Sequence, residues 1–211
     1  MEKIIKSDRI KGILCIIASA CGFAIMSAFI KLAGDLPSFQ KTFFRNLVAA
    51  VIALYLIIKH KGSLVGKKEN RKILILRSTF GTIGIICNYY AVDRLVLSDA
   101  NMLNKLSPFL VVIFCALFLK EKINLKQITM VSVAFIGALF IIKPSFNVEV
   151  LPYLVGVLGA IGAALAYTCV RALGNKEDYY TIVFFFSAFS LIVILPICVV
   201  VYKPMTMIQV V

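Results

Sequence analysis

The chain has 211 residues, of which 61% are hydrophobic and only 16% are charged, and its mean hydropathy is +0.97. Soluble domains are about 45–50% apolar and about 25% charged, so too few charges remain to cover a globule of this size. The composition excludes a soluble enzyme, a disordered chain and a secreted disulfide scaffold. At about 20 residues per crossing, the chain has room for roughly seven membrane spans.

Seven apolar segments predict an all-α, polytopic transmembrane helical bundle. In chain order, the predicted spans are Ile13–Ala33, Phe39–Ile58, Ile73–Val92, Asp99–Leu119, Leu125–Ile142, Leu151–Leu173 and Tyr180–Tyr202. The first span has an alternative interpretation as a cleaved signal peptide, because basic residues precede it and Ala18-Ser19-Ala20 has the A-x-A pattern. Since the apolar run continues from Cys21 to Ile30, we predict a retained helix.

Basic residues lie mainly between the apolar runs and give a formal net charge of +13. If the N-terminus is cytoplasmic, 15 Lys and Arg residues fall in cytoplasmic segments and 4 on the opposite side. This asymmetry predicts a multi-pass protein with a cytoplasmic N-terminus. The asymmetry also accounts for the net positive charge, so a nucleic-acid partner is not needed to explain it. We expect the protein to contact a lipid bilayer and no nucleic acid.

Chemistry-bearing residues are sparse in this sequence. The six cysteines all fall inside apolar runs without a CxxC spacing, and the single histidine, His60, sits among lysines at a helix end. We therefore expect no disulfide, no metal site and no cofactor. The sequence holds no HExxH, no GxxxxGK[ST], no Ser-His-Asp order and no paired carboxylates within a span, so we expect no catalytic residues and no enzyme activity.

A shift of 140 residues superimposes the first predicted helix on the sixth. Gly22 then meets Gly162, and Gly34 meets Gly174. Five helices separate the two copies, so each copy crosses the membrane in the opposite sense, as in the inverted repeats of many transporters. A second copy of equal length would end near residue 280, whereas the sequence stops at Val211. We expect either a truncated product or an illusory repeat.

The order of short helices and their motifs resembles the EamA-like family of the drug/metabolite transporter superfamily. The motifs that carry the resemblance are Phe44-Arg45, Gly81-x-x-Gly84, Ala91, Asp99-Ala100, Asn104-x-x-x-Pro108, Leu117-Phe118-Leu119-Lys120-Glu121 and Gly137. The resemblance implies two inverted five-helix repeats, transport of small organic solutes and a plasma-membrane location. It divides the chain into a first repeat over residues 1–145 and an incomplete second repeat over 146–211. Met130 stands where the family tends to have a small residue.

Polar residues within the spans are candidates for a solute path. Arg45 and Lys105 lie deep in their helices, and family topology points both into one outer half-cavity. Asn88 shares a helix face with Arg77, Gly81 and Gly84, and Asn101 shares one with Lys105 and Pro108. Pro108 should free the carbonyl one turn back. The predicted path residues are Arg45, Asn88, Asn101, Lys105 and Pro108, although interhelical packing remains an alternative for the asparagines and for Pro108.

Other polar residues are predicted to be structural. Lys41 and Arg77 lie near helix ends and should extend to the membrane surface. Asp93 and Asp99 should be solvated loop carboxylates, and Glu121 should form an ion pair at the cytoplasmic edge. The small residues Gly156, Gly159 and Gly162 should permit close helix packing.

The sequence thus predicts a permease or exporter of small organic metabolites, working by alternating access around a midplane site. Arg45 and Lys105 would favour anionic solutes. The alternative is a transport-incompetent truncated membrane protein or subunit. A homodimer is among the expected assemblies, because a chain this short could need a partner copy to close a path.

Overall fold

A computed structural model describes residues 2–32, 34, 36–122, 124–142 and 150–205. Those residues form eight α-helices. They are α1 (Glu2–Leu32), α2 (Ser38–His60), α3 (Arg71–Arg94), α4 (Leu97–Asn104), α5 (Ser107–Leu119), α6 (Leu125–Ile142), α7 (Val150–Leu173) and α8 (Tyr179–Val200). The predicted repeat boundary at 145–146 and the predicted end of the first span at Ala33 lie outside the described residues.

Six candidate membrane spans are present among the described residues, by length and composition. They comprise Gly12–Ile30 of α1, all of α2, Lys68–Arg94, Leu97–Leu119, Val150–Lys176 and all of α8. The fifth predicted span corresponds to α6, whose described apolar stretch is shorter, at Ile128–Gly137. The bundle of apolar helices makes this a multi-pass membrane protein, as the composition predicts.

The fourth predicted span was expected to be one continuous helix. That expectation is wrong, because the helix is broken between α4 and α5. At the break the backbone N–H of Leu106 donates to the carbonyl of Leu103, a tighter turn than an α-helix makes. Pro108 lies in the first turn of α5, where a missing N–H costs no helical hydrogen bond. Pro108 therefore starts a new helix instead of kinking an old one.

The chain divides into two units, one holding α1 and the other spanning Leu36–Pro204. In the second unit α3 packs mainly against α7, and α2 packs mainly against α8. Helices α4 and α5 also pack against α7, while α3 makes a further contact with α8. The core of this unit is thus built from helices of the two predicted repeats, with α3 and α7 at its centre.

Candidate functional site

Arg77 lies inside the second unit, and its guanidinium stacks on an aromatic ring. The Cζ atom of Arg77, on α3, is 3.9 Å from the ring centroid of Phe186 on α8. Its Nε and Nη1 atoms have no exposed surface and no hydrogen-bond partner among the described residues. Arg77 was expected to extend to the membrane surface, and that expectation is wrong because the aromatic face of α8 holds the guanidinium inside the bundle.

Gly81 provides the room for this stacked pair. A Cβ atom at Gly81 would lie 2.7 Å from Arg77 Nη1 and 2.9 Å from the Phe186 ring. Real Cβ atoms do not approach other atoms so closely. Since Gly81 follows Arg77 by one helical turn, both residues occupy the same face of α3. The glycine therefore permits the arginine to fold back against its own helix and under the ring.

A buried hydrogen-bond network lies at the same helix interface. Asn46 of α2 donates its Nδ2–H to the hydroxyl oxygen of Ser190 on α8, at 2.9 Å. The hydroxyl of Thr82 on α3 also contacts the Ser190 hydroxyl, at 3.0 Å. The Ser187 hydroxyl is buried without a partner in the described part of the chain. Polar groups from three transmembrane helices thus converge away from solvent.

Arg45 stands next to this network and adds a second positive charge. It is half-buried on α2, and its Nη1 is 3.4 Å from the side-chain oxygen of Asn46. It is close enough to Arg77 and to Tyr89 for electrostatic interaction. Neither arginine forms an ion pair within the described ranges. The arrangement is a cationic polar region between α2, α3 and α8, suited to holding an anion.

The other predicted path residues are more dispersed. Asn88 and Asn101 are half-buried, whereas Lys105 and Pro108 are exposed in the described structure. The hydroxyl of Ser107 donates to the carbonyl of Asn104 at 2.7 Å. Asn104 is one turn before Pro108, so the carbonyl that the proline was expected to free is already hydrogen-bonded. The prediction of a free carbonyl at this point is wrong.

Three further polar residues are placed differently from the sequence expectation. Lys41 is 8% exposed and forms an ion pair with Asp93, whose Oδ1 is 2.6 Å from Nζ. Ser38 donates to the other oxygen of Asp93 at 2.7 Å. Asp99 is only 1% exposed and accepts a hydrogen bond of 2.5 Å from the Tyr153 hydroxyl of α7. Neither carboxylate is a solvated loop group, because each meets a donor from another helix.

Glycines bring α3 and α7 into backbone contact. A Cβ atom at Gly84 would lie 2.9 Å from the backbone nitrogen of Ala163, and one at Gly162 would lie 3.0 Å from the Cα of Gly84. Gly159 similarly faces the backbone of Asn88 at 3.0 Å. At Gly156 the nearest atom is Cδ1 of the Leu103 side chain, at 2.5 Å, which can rotate away. The close contact fixes the position of α3 and of the arginine it carries.

The loop between α2 and α3 docks on the turn between α7 and α8. A carboxylate oxygen of Glu177 accepts hydrogen bonds from the Lys67 backbone N–H at 2.8 Å and from Asn70 Nδ2 at 2.7 Å. The ring of His60 stacks on that of Tyr180, with centroids 5.7 Å apart. Glu121 pairs with Arg171 at 2.7 Å, at the end of α5.

No cluster of three or more potential metal ligands occurs among the described residues.

Comparison with known proteins adds a family to this geometry. The EamA-like transporter family matches residues 10–143. The chain belongs to the EamA-like transporter family. It is 32% identical over 188 residues to the pseudopaline exporter CntI of Pseudomonas aeruginosa, covering 88% of this chain and 66% of that protein. No solved structure matches the chain.

More distant relatives of this EamA-like chain come from mammals and other bacteria. It is 27% identical over 193 residues to mouse solute carrier family 35 member G1, covering 85% of this chain and 52% of the relative. It is also 27% identical to an uncharacterized transporter of Helicobacter pylori, covering 82% of this chain and 59% of that protein. The chain thus spans less than two thirds of the length of each of these relatives.

Proposed function

We propose that this EamA-like chain moves small organic solutes across the plasma membrane by alternating access. The observation that carries the proposal is the buried polar region between α2, α3 and α8, with Arg45 half-buried beside the Asn46–Ser190 network. Charged side chains inside a membrane protein commonly mark a substrate or ion path, because their burial in lipid is costly. The family membership and the relatives that are named as transporters support the same function.

The proposed path runs past Arg45, Asn88 and Asn101. Asn88 and Asn101 are half-buried and belong to α3 and α4, while Lys105 and Pro108 flank the break between α4 and α5. A broken helix is a common feature of transporter binding sites, where it presents backbone groups to a solute. We place Lys105 and Pro108 at the mouth of the path, since both are exposed.

We also propose the inverted five-helix repeat and a cytoplasmic N-terminus. Helix α1 ends at Leu32 before Gly34, which has a φ of 59°, and α7 ends at Leu173 before Gly174, with a φ of 49°. The equivalent turns support the 140-residue shift. Glu177 binds the backbone of Lys67, so two basic segments assigned to the cytoplasmic side lie at one face of the protein. That contact supports the orientation given by the positive-inside rule.

Uptake into reconstituted vesicles tests the transport function. The 211-residue chain would be offered radiolabelled amino acids, nucleosides and organic acids, with protein-free vesicles as the background. We expect uptake of at least one solute above that background. Absence of uptake for every solute, by protein that is folded and inserted, would contradict the proposal.

Arg45→Gln tests the path residue that the structure supports most directly. If Arg45 attracts negative charge, the variant should take up anionic solutes several-fold more slowly and neutral solutes at a nearly unchanged rate. Arg94→Gln is the matched control, because Arg94 is an exposed arginine at the end of α3. Equal loss for anionic and neutral solutes would show that Arg45 supports the fold and not the path.

A further inference from the structure

Arg77 is a half-buried cation, and no carboxylate among the described residues pairs with it. Its electrostatic neighbours in the described structure are Tyr167, Cys169 and Arg45. The Phe186 ring covers one face of the guanidinium, but a ring quadrupole offsets only part of the loss of hydration. Buried charged donors without acceptors are strongly unfavourable in a protein interior. An external anion would supply the acceptors that these donors lack among the described residues.

The stacked geometry leaves two donor atoms of Arg77 without an acceptor among the described residues. Phe186 contacts the flat face of the guanidinium, whereas hydrogen bonds leave from its edges, where Nε and Nη1 lack partners among the described residues. Nε and Nη1 lie on different edges, and Nη2 completes each edge, so that either edge has two parallel N–H groups that match the two oxygens of a carboxylate. Gly81 clears the space that holds the arginine in this orientation. The ring and the glycine thus position the guanidinium before any ligand arrives.

The two arginines approach each other from opposite ends of the membrane. Arg45 is about 10 Å from the start of α2, and Arg77 is about 9 Å from the start of α3, at a rise of 1.5 Å per residue. The two helices are consecutive spans, so their starts lie at opposite faces. The two side chains are close enough for electrostatic repulsion. A negative charge between them would remove that repulsion.

We propose that Arg77, stacked on Phe186 and assisted by Arg45, binds the carboxylate of a small organic anion that this protein transports. The proposal rests on the transport function proposed above and assigns a substrate class to it. Arg77 makes the bidentate contact, Phe186 fixes the plane of the guanidinium, and Arg45 supplies the second charge. The Lys41–Asp93 pair does not take part, since Lys41 already has a carboxylate at 2.6 Å.

Thermal unfolding of the full chain in a neutral detergent tests binding separately from transport. A thiol-reactive dye can follow unfolding, because Cys115 and Cys198 are buried in the folded protein. The added probes are succinate, glutarate, glutamate and citrate, compared with succinamide, glutaramide and inorganic phosphate. Phosphatidylglycerol forms a separate arm that represents an anionic lipid headgroup. We expect at least one carboxylate, and neither amide, to raise the unfolding midpoint by several degrees.

Variants then assign the effect to Arg77. Arg77→Gln should abolish the carboxylate-dependent shift, and Arg77→Lys should weaken the apparent affinity about tenfold, since lysine keeps the charge but lacks the planar fork. Arg94→Gln should bind as the unmodified chain does. Arg77→Lys decides the matter if Arg77→Gln does not fold.

Several results would overturn this assignment. They are a shift with no carboxylate, a shift with phosphatidylglycerol or phosphate alone, and an unchanged carboxylate affinity in Arg77→Lys. Vesicle uptake without carboxylate binding would refute the anion site and leave the transport function standing. Carboxylate binding without uptake of any solute would keep the site and refute transport.

Discussion

Lys41 and Arg77 lie among the helices of the second unit of this protein, and their surroundings are opposite. Lys41, near the start of α2, lies 2.6 Å from Asp93 at the end of α3, and Ser38 donates to the same carboxylate. Arg77, on the other half of α3, has an aromatic ring and a second arginine as its neighbours. One cation is neutralised within the fold, and the other is positioned without being neutralised.

The difference separates a structural charge from a functional one. A buried pair with satisfied hydrogen bonds fixes how two helices meet, and removing one partner leaves an uncompensated charge. An unpaired cation adds nothing to folding beyond its ring contact, so its place inside the bundle points to a ligand. The same helix, α3, carries Arg77 and the Asp93 carboxylate that pairs with Lys41, and its contact with α7 holds both in place.

Asp93→Asn should give the largest effect, because it removes the carboxylate that forms the 2.6 Å ion pair with the buried Lys41. We expect a loss of about 3–5 kcal/mol in the free energy of unfolding, measured by denaturant titration in detergent micelles. The double variant Lys41→Met with Asp93→Asn should recover much of that loss. Glu69→Gln is the control, since Glu69 is exposed. Unchanged stability in Asp93→Asn would show that the pair is not structural.

Gly84→Ala tests whether the backbone contact with α7 positions α3, which carries Arg77 and the Asp93 partner of Lys41. The added Cβ would meet the backbone nitrogen of Ala163 at 2.9 Å, and a backbone atom cannot rotate away. We expect a loss of about 1–3 kcal/mol by the same titration. Gly137→Ala should cause no loss, because nothing lies within 4 Å of its added Cβ. Equal tolerance at both glycines would contradict a close contact.

Arg77→Met sharpens the comparison, because it should stabilise the protein, whereas Asp93→Asn should destabilise it. Removal of unsatisfied buried donors should gain about 1–3 kcal/mol. Loss of the cation–ring contact should offset about 1 kcal/mol of that gain. We therefore expect a chain without added anion that is about 1 kcal/mol more stable. A loss comparable to that of Asp93→Asn would make Arg77 a structural residue like Lys41.

Glu121→Gln should give the smallest effect, since its ion pair is exposed. The side chains of Arg171 and Glu121 are 56% and 39% exposed, so water screens their attraction. We expect a change of about 0–1 kcal/mol, which should disappear in 1 M salt. A larger, salt-independent loss of unfolding free energy would show that this pair is structural, like the pair of Lys41 and Asp93.

Sequence patterns predict the helices well but not the partners of their charges. Apolar runs locate the spans because lipid requires long apolar segments with internal hydrogen bonds. The fate of a buried cation depends instead on which helix packs beside it, and Asp93 is 52 residues from Lys41 in the chain. No local pattern links Arg77 to Phe186. Gly81, one turn after Arg77, is the nearby feature that indicates a close contact on this face of α3. The sequence does not show that α8 provides the contact.

The break after Asn104 illustrates a second limit. Pro108 marks an irregular helix at the level of sequence, and a kink with a free carbonyl is the usual expectation. The structure satisfies that carbonyl with the hydroxyl of Ser107, at 2.7 Å. A serine beside a proline has several possible acceptors, and the choice among them is made by the backbone turn.

The pairing of α3 with α7 has a consequence for biogenesis. About 80 residues separate the end of α3 from the end of α7. At synthesis rates of about 5–20 residues per second, α3 waits in the bilayer for about 4–16 s before its glycine face is covered. During that interval Arg77 has no Phe186 to stack on, because α8 is made later still. Nascent chains of this protein should therefore depend on the insertion machinery or a chaperone to shield α3 until the C-terminal helices arrive.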